Sequence, residues 1–146
     1  MQLTALLCLF TASAMAAPAA VPENAKSMMA ATPMWTIRNM KRVCNSADTQ
    51  CVYTFRIDTT GPSSTDCKYI HNGKPASETS GGPAQCGKFA VTSGWSGQFG
   101  PNNGFTTLSV VHTEARQIIW PAYTDKQLDG GQVVKPDQAY APQSLP

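Results

Sequence analysis

Cys51-Val52-Tyr53-Thr54-Phe55-Arg56-Ile57-Asp58 is the stretch that decides the fold. Cys51, Tyr53, Phe55 and Ile57 fall on one face, and Val52, Thr54, Arg56 and Asp58 on the other. A strict period of two belongs to a β-strand buried on one side, because successive side chains leave the pleat in opposite directions. β-Branched and aromatic residues pack well on such a half-buried surface.

Working outward, residues 35–40, 67–70 and 89–93 read as shorter strands. Residues 105–111 and 116–120 are β-branched runs joined by His112-Thr113-Glu114-Ala115, which predicts a hairpin. Residues 132–134 add a last short strand. No stretch beyond Pro33 longer than about ten residues keeps a helical period. About six or seven short strands separated by Gly and Pro turns predict an all-β fold, a small antiparallel β-sandwich or barrel.

The first sixteen residues read as a secretory signal peptide. Residues 3–15 are apolar or small and uncharged, too short for the ~20 residues of a membrane span. They close on Ala14-Met15-Ala16, a small-x-small site that places cleavage before Ala17. The n-region departs from the pattern, having Gln2 and the free amine but no Lys or Arg. Residues 17–34, rich in Ala, Pro and Met, read as a disordered or propeptide-like leader. Residues 35–134 read as the β domain, and residues 135–146, with Pro136, Pro142 and Pro146, as an extended tail along it. The reading is of a secreted, extracellular chain without stable membrane insertion.

Removing Cys8 with the signal peptide turns five cysteines into four. Cys44, Cys51, Cys67 and Cys86 then suit two disulfides in an oxidising compartment. No Cys-x-x-Cys pair is present, and His71 and His112 lie far apart in sequence, which argues against zinc. Three pairings are possible. Asn45-Ser46-Ala47-Asp48-Thr49-Gln50 is turn-forming and favours Cys44–Cys51. Cys67–Cys86 would then close a loop of Gly, Pro and Ser, removing on the order of 3 kcal/mol of unfolded-state entropy.

Charged residues make up only 14% of the chain and the net charge is +2. Nucleic-acid binders usually carry a basic face, so this balance argues against such a partner. The nearest approach to a basic cluster, Arg38, Lys41 and Arg42, reads as a solvated strand face at least as well as a site for an anionic partner.

No catalytic constellation emerges. Gly94-Trp95-Ser96-Gly97-Gln98 resembles a nucleophile elbow, but Gln98 replaces the last glycine and no strand–turn–helix context surrounds it. A triad would need His71 or His112, which read as a loop residue and a hairpin-end residue. The acids Asp48, Asp58, Asp66, Glu78, Glu114, Asp125, Asp129 and Asp137 mostly sit in turn-like surroundings and read as solvated. The cysteines are consumed in bridges. The reading is a non-enzymatic protein with no cofactor and no metal.

The distinctive segment is residues 94–104, where Gly94, Gly97, Gly100 and Gly104 punctuate Trp95 and Phe99, with Phe105 next. Glycines let a backbone bend sharply while aromatics stay presented. Those rings read either as plugs at a barrel's open end or as a platform for stacking sugars. Trp120 and Tyr123, around Pro121, divide the same way.

At these segments the chain resembles the small secreted hypersensitive-response-inducing elicitors of filamentous fungi. Arg42-Val43-Cys44-Asn45, the 53–58 strand, Gln85-Cys86-Gly87, residues 93–100 and Gly104-Phe105-Thr106-Thr107-Leu108 carry the likeness. Trp120-Pro121-Ala122-Tyr123-Thr124-Asp125 and Pro136-Asp137-Gln138 complete it. The resemblance implies a β-rich, disulfide-stapled effector, an apoplastic virulence factor or elicitor that plants perceive, with cell death and defence as the outcome. Its partner would be a plant surface receptor or an apoplastic protein. The alternative is a carbohydrate-binding module for cell-wall polysaccharide, stacking sugars on Trp95, Phe99, Trp120 or Tyr123. The contact surface is expected on residues 93–104, with Trp95 and Phe99 as anchors and Arg56 and Lys68 as a polar rim. On this reading Trp95→Ala removes activity and leaves the melting temperature nearly unchanged.

Overall fold

The computed structural model describes residues 33–146; the signal-peptide reading, and most of the leader, lie outside them. The strands run in chain order as β1 (Trp35–Cys44), β2 (Gln50–Asp58), β3 (Ser64–Asn72), β4 (Gly81–Cys86) and β5 (Phe89–Ser96). They continue as β6 (Phe105–His112), β7 (Gln117–Ile119), β8 (Ala122–Thr124), β9 (Gln138–Tyr140) and β10 (Gln143–Ser144). A single helical turn, α1 (Asp125–Leu128), follows β8.

Two antiparallel sheets result. One has the order β3-β2-β1-β9; the other runs β10-β7-β6-β5-β4, with β8 also paired to β6. Their inner faces share one apolar core, as the alternation in β2 requires: Cys51, Tyr53, Phe55 and Ile57 are all buried. Trp35 of the first sheet meets Phe89 of the second edge to face at 5.5 Å, the geometry ring quadrupoles favour. The fold is therefore a small antiparallel sandwich. Both favoured disulfides are present. Cys44–Cys51 ties the paired ends of β1 and β2, and Cys67–Cys86 ties β3 to β4, one sheet to the other.

β1 contains the feature that matters most for the site. Its register against β2 slips between Arg38 and Lys41, and Asn39 takes a φ of 54°. A bulge inserts one residue, so the inward parity changes. Trp35 and Ile37 point in before it; Met40 and Arg42 point in after it. Arg42 is consequently buried, which corrects the solvated-face reading for that residue.

Several strand expectations need revision. Residues 132–134 form no strand; Val134 is buried and its N–H donates to Met40 O at 2.8 Å. The tail supplies two short strands instead, β9 against Trp35–Ile37 and β10 against β7. β4 and β8 were not anticipated, because Gly81-Gly82-Pro83 and Ala122-Tyr123-Thr124 lack a long alternation. The β6–β7 hairpin forms as expected, with Arg116 at a φ of 52° in the turn and not in the strand. His71 is no loop residue: it lies in β3, buried against Tyr53 and Tyr69, and its Nε2 donates to Ala76 O at 2.6 Å.

Candidate functional site

The β5–β6 connection, residues 97–104, stands between two depressions. On one side is a polar hollow of about 680 Å³ lined by Arg42, Ser77, Glu78, Trp95, Asn102, Asp125 and Asp129, among others. On the other is an apolar groove of about 590 Å³, lined among others by Phe99, Phe105, Ala122, Tyr123 and Lys126.

The hollow is built around the inward-turned Arg42. Its side chain is 3% exposed, and a guanidinium so desolvated needs partners for its donors. Nη1 donates to Ser77 O at 3.2 Å and to Asp125 Oδ1 at 3.3 Å, and Nη2 donates to Asp129 Oδ1 at 3.0 Å. The other oxygen of Asp125, Oδ2, accepts from Trp95 Nε1 at 2.9 Å. Ser77 is held in turn by Asp48, whose Oδ1 accepts from the Ser77 N–H at 2.9 Å. A continuous polar chain therefore runs from Asp48 through Ser77, Arg42 and Asp125 to the indole of Trp95.

Local sequence explains the position of Asp125. Thr124 caps α1 through a reciprocal capping box with Gln127, which satisfies two otherwise orphaned donors. Asp125 begins the turn, and its N–H donates to Gly104 O at 2.9 Å. Gly104 is required there. A Cβ would lie 2.4 Å from Asp125 Oδ2 and 2.8 Å from Trp95 Cζ2. Gly97 approaches the same ring, with its would-be Cβ 2.6 Å from Trp95 Cη2. The indole is thus clamped between two glycines and tethered by a carboxylate.

The sequence-predicted contact residues separate into distinct places. Phe99 is 67% exposed and stacks on Phe105 at 5.7 Å. Trp95 is half-buried in the hollow and fixed, so it contributes to the fold as well as to the surface. Trp120 is 49% exposed, whereas Tyr123 is 2% exposed and belongs to the core. Burial also raises the Tyr123 phenol well above its ordinary pKa, with Tyr140 and Asp137 adding to the shift. Tyr123 is therefore removed from the contact set as a direct anchor. Arg56 and Lys68 point outward from β2 and β3 and border a separate shallow hollow with Asn39 and Thr54. They form no rim with Trp95.

Sequence reasoning missed Arg42, Ser77 and Asp125. The Asp48 and Asp125 carboxylates are hydrogen-bonded parts of this network and not merely solvated turn acids. Thr124-Asp125-Lys126-Gln127 is a capping-box pattern that could have placed Asp125 at a helix start. Nothing linear indicated that Asn39 would turn Arg42 inward. Cys44, Asp48 and Cys51 also lie together, but both sulfurs are engaged in a disulfide, leaving no thiolate to bind a metal.

The site is thus an aromatic loop set between two depressions on a disulfide-stapled β-sandwich. The family model described as Effector TSP1 matches residues 36–145, and the chain belongs to that family. A protein of Hypocrea virens (strain Gv29-8 / FGSC 10586), named Effector TSP1, is 51% identical over 147 residues, covering the whole of both chains. The likeness to fungal effector proteins seen in the sequence is thereby upheld.

Proposed function

We propose that this chain is a secreted, non-enzymatic fungal effector that plants perceive in the apoplast, with local cell death and defence as the response. The observation that carries the reading is Phe99. A large aromatic two-thirds exposed on a short loop, backed by Phe105 and carried on a loop whose base is held by the clamped Trp95, has the form of an interface anchor. Family membership supports the effector part of this reading. The partner is a receptor at the plant surface or an apoplastic protein that accepts Phe99 in an apolar pocket.

Infiltration of purified protein into leaves tests it. Wild type is expected to produce necrosis and an oxidative burst at micromolar dose, and Phe99→Ser to lose both while melting as wild type does. A necrotic response equal for both proteins would exclude Phe99 as the anchor; no response to wild type would exclude elicitation.

The polar hollow supports a second reading, the carbohydrate-binding module. Half-exposed Trp95 lies beside Asp125, Asp129, Glu78 and Asn102, a set of hydrogen-bonding groups around one aromatic that suits a sugar ring. Pull-down on chitin, cellulose and β-glucan separates the two readings. Retention on a glycan that Asp129→Ala and Asn102→Ala abolish would favour the second.

A further inference from the structure

The outward face of the first sheet carries a surface unrelated to the Phe99 loop. Val43, Val52 and Ile70 are in register across β1, β2 and β3. Val43 and Ile70 are each 47% exposed. Solvent-facing strand positions are ordinarily polar, so three aliphatic residues in one row form an unpartnered apolar ridge. The next row on the same face is Lys41, Thr54 and Lys68, roughly 7 Å along the strands. Its two lysines stand roughly 10 Å apart across three strands. Among the described residues neither has a carboxylate within ion-pair distance. The nearby acids are already engaged, Asp66 with Arg56 at 2.9 Å and Asp58 with Arg38.

We infer that this face docks reversibly on a membrane surface bearing anionic lipids, with the Val43–Val52–Ile70 ridge at the headgroup boundary and Lys41 and Lys68 on phosphate or carboxylate headgroups. The charge decides the sign of the partner: two unneutralised ammonium groups select an anion. The ridge decides its kind, because a hydrated acidic polymer would leave those aliphatic groups in water, whereas a lipid interface covers them. Lysine suits the task, since its long apolar stem lies along the ridge while the charge reaches the headgroups. No helix among the described residues is long and apolar enough to cross a membrane, so the contact is peripheral.

Co-sedimentation of the purified chain with phosphatidylcholine vesicles, alone or with added phosphatidylserine, tests the inference. Binding is expected only with phosphatidylserine and should weaken as salt rises. The Lys41→Gln, Lys68→Gln double variant should bind roughly thirtyfold more weakly, at about fivefold per lysine near an anionic surface. Val43→Thr with Ile70→Thr should also weaken binding while keeping its salt dependence. Thermal melts check that both variants fold; these positions lie outside the core cluster, and the lysine pair alone suffices if the threonine pair does not fold. Equal partitioning to both vesicle types, no partitioning at all, or wild-type binding by the lysine variant would overturn the inference. So would lysine-dependent binding to soluble polygalacturonate by a chain that ignores vesicles, or self-association abolished by the threonine pair without vesicle binding. Leaf responses do not enter the readout, so this inference and the elicitor reading fail independently.

Discussion

Trp95 Nε1 donates to Asp125 Oδ2 at 2.9 Å, joining the end of β5 to the start of α1 across 30 residues of sequence. The bond means that the aromatic loop is not a free appendage. Its base is fastened to the same carboxylate that faces buried Arg42, so loop conformation and core electrostatics are coupled.

Replacing Trp95 therefore reports on stability first. Trp95→Phe keeps a ring and removes the donor, and should lower stability by about 1 kcal/mol. Trp95→Ala also removes half-buried apolar area and should cost about 2–3 kcal/mol. Urea denaturation followed by circular dichroism measures both. A Trp95→Ala variant as stable as wild type would contradict the clamped geometry and restore the expectation drawn from sequence.

Gly104→Ala should destabilise the protein by roughly 1–3 kcal/mol, because the added methyl overlaps Asp125 and the indole together. At Gly61 no atom lies within 4 Å of the place a Cβ would take, so Gly61→Ala serves as the neutral comparison. Thermal melts of the pair test whether tight approach at the clamp, and not glycine content in general, is what the loop requires.

Arg42→Met should be costly, about 2–4 kcal/mol, since it leaves Asp125 and Ser77 O without their buried donor. Asp129 is largely exposed and solvent replaces its partner, which keeps the figure from being larger. Arg38→Met, on the exposed side of the bulge, should cost under about 1 kcal/mol. Equal effects in chemical denaturation would mean that the change of parity at Asn39 is energetically unimportant.

The two disulfides should differ in weight. Cys67–Cys86 spans 19 residues and Cys44–Cys51 spans 7. Loop-closure entropy scales with the logarithm of that span, giving roughly 3 and roughly 2 kcal/mol. Cys67→Ser with Cys86→Ser should lower the melting temperature more than Cys44→Ser with Cys51→Ser. The longer bridge also joins the two sheets, so its loss should expose core tryptophan fluorescence to quencher.

Asp137 should set part of the acid limit of stability. The Asn39 backbone N–H, donating at 3.0 Å, holds its carboxyl below the usual carboxylate range, and Lys135 and Arg38 add to the effect. A carboxyl whose folded pKa is depressed stabilises the fold above its unfolded pKa, and that contribution is lost as pH falls through the folded value. Asp137→Asn should therefore reduce stability at neutral pH and flatten its decline below about pH 4. Parallel stability–pH curves for the two proteins would show that the tail is not electrostatically tied to the β1 bulge.

Local pattern determined the β class of this protein, the inward row of β2 and the hairpin after His112, and it favoured the disulfide pairing that the structure shows. Each depends on a few adjacent residues: alternation, turn chemistry and short loop closure act within a short window. The glycine-punctuated loop was legible for the same reason, whereas local pattern left open whether its aromatics plug the core or face solvent. Tertiary structure alone decided the rest. A single residue inserted at Asn39 reverses which side of β1 faces in, and a solvated-looking Arg42 becomes the buried centre of the hollow. Asp125 and Ser77 acquire their roles only by meeting that guanidinium from distant segments, and Asp48 acquires its role through Ser77. Trp95 and Tyr123 read alike as aromatic neighbours of turns, yet one is clamped at the surface and the other is core. Burial is a property of what packs above a residue, and a linear sequence does not carry the distances that decide it.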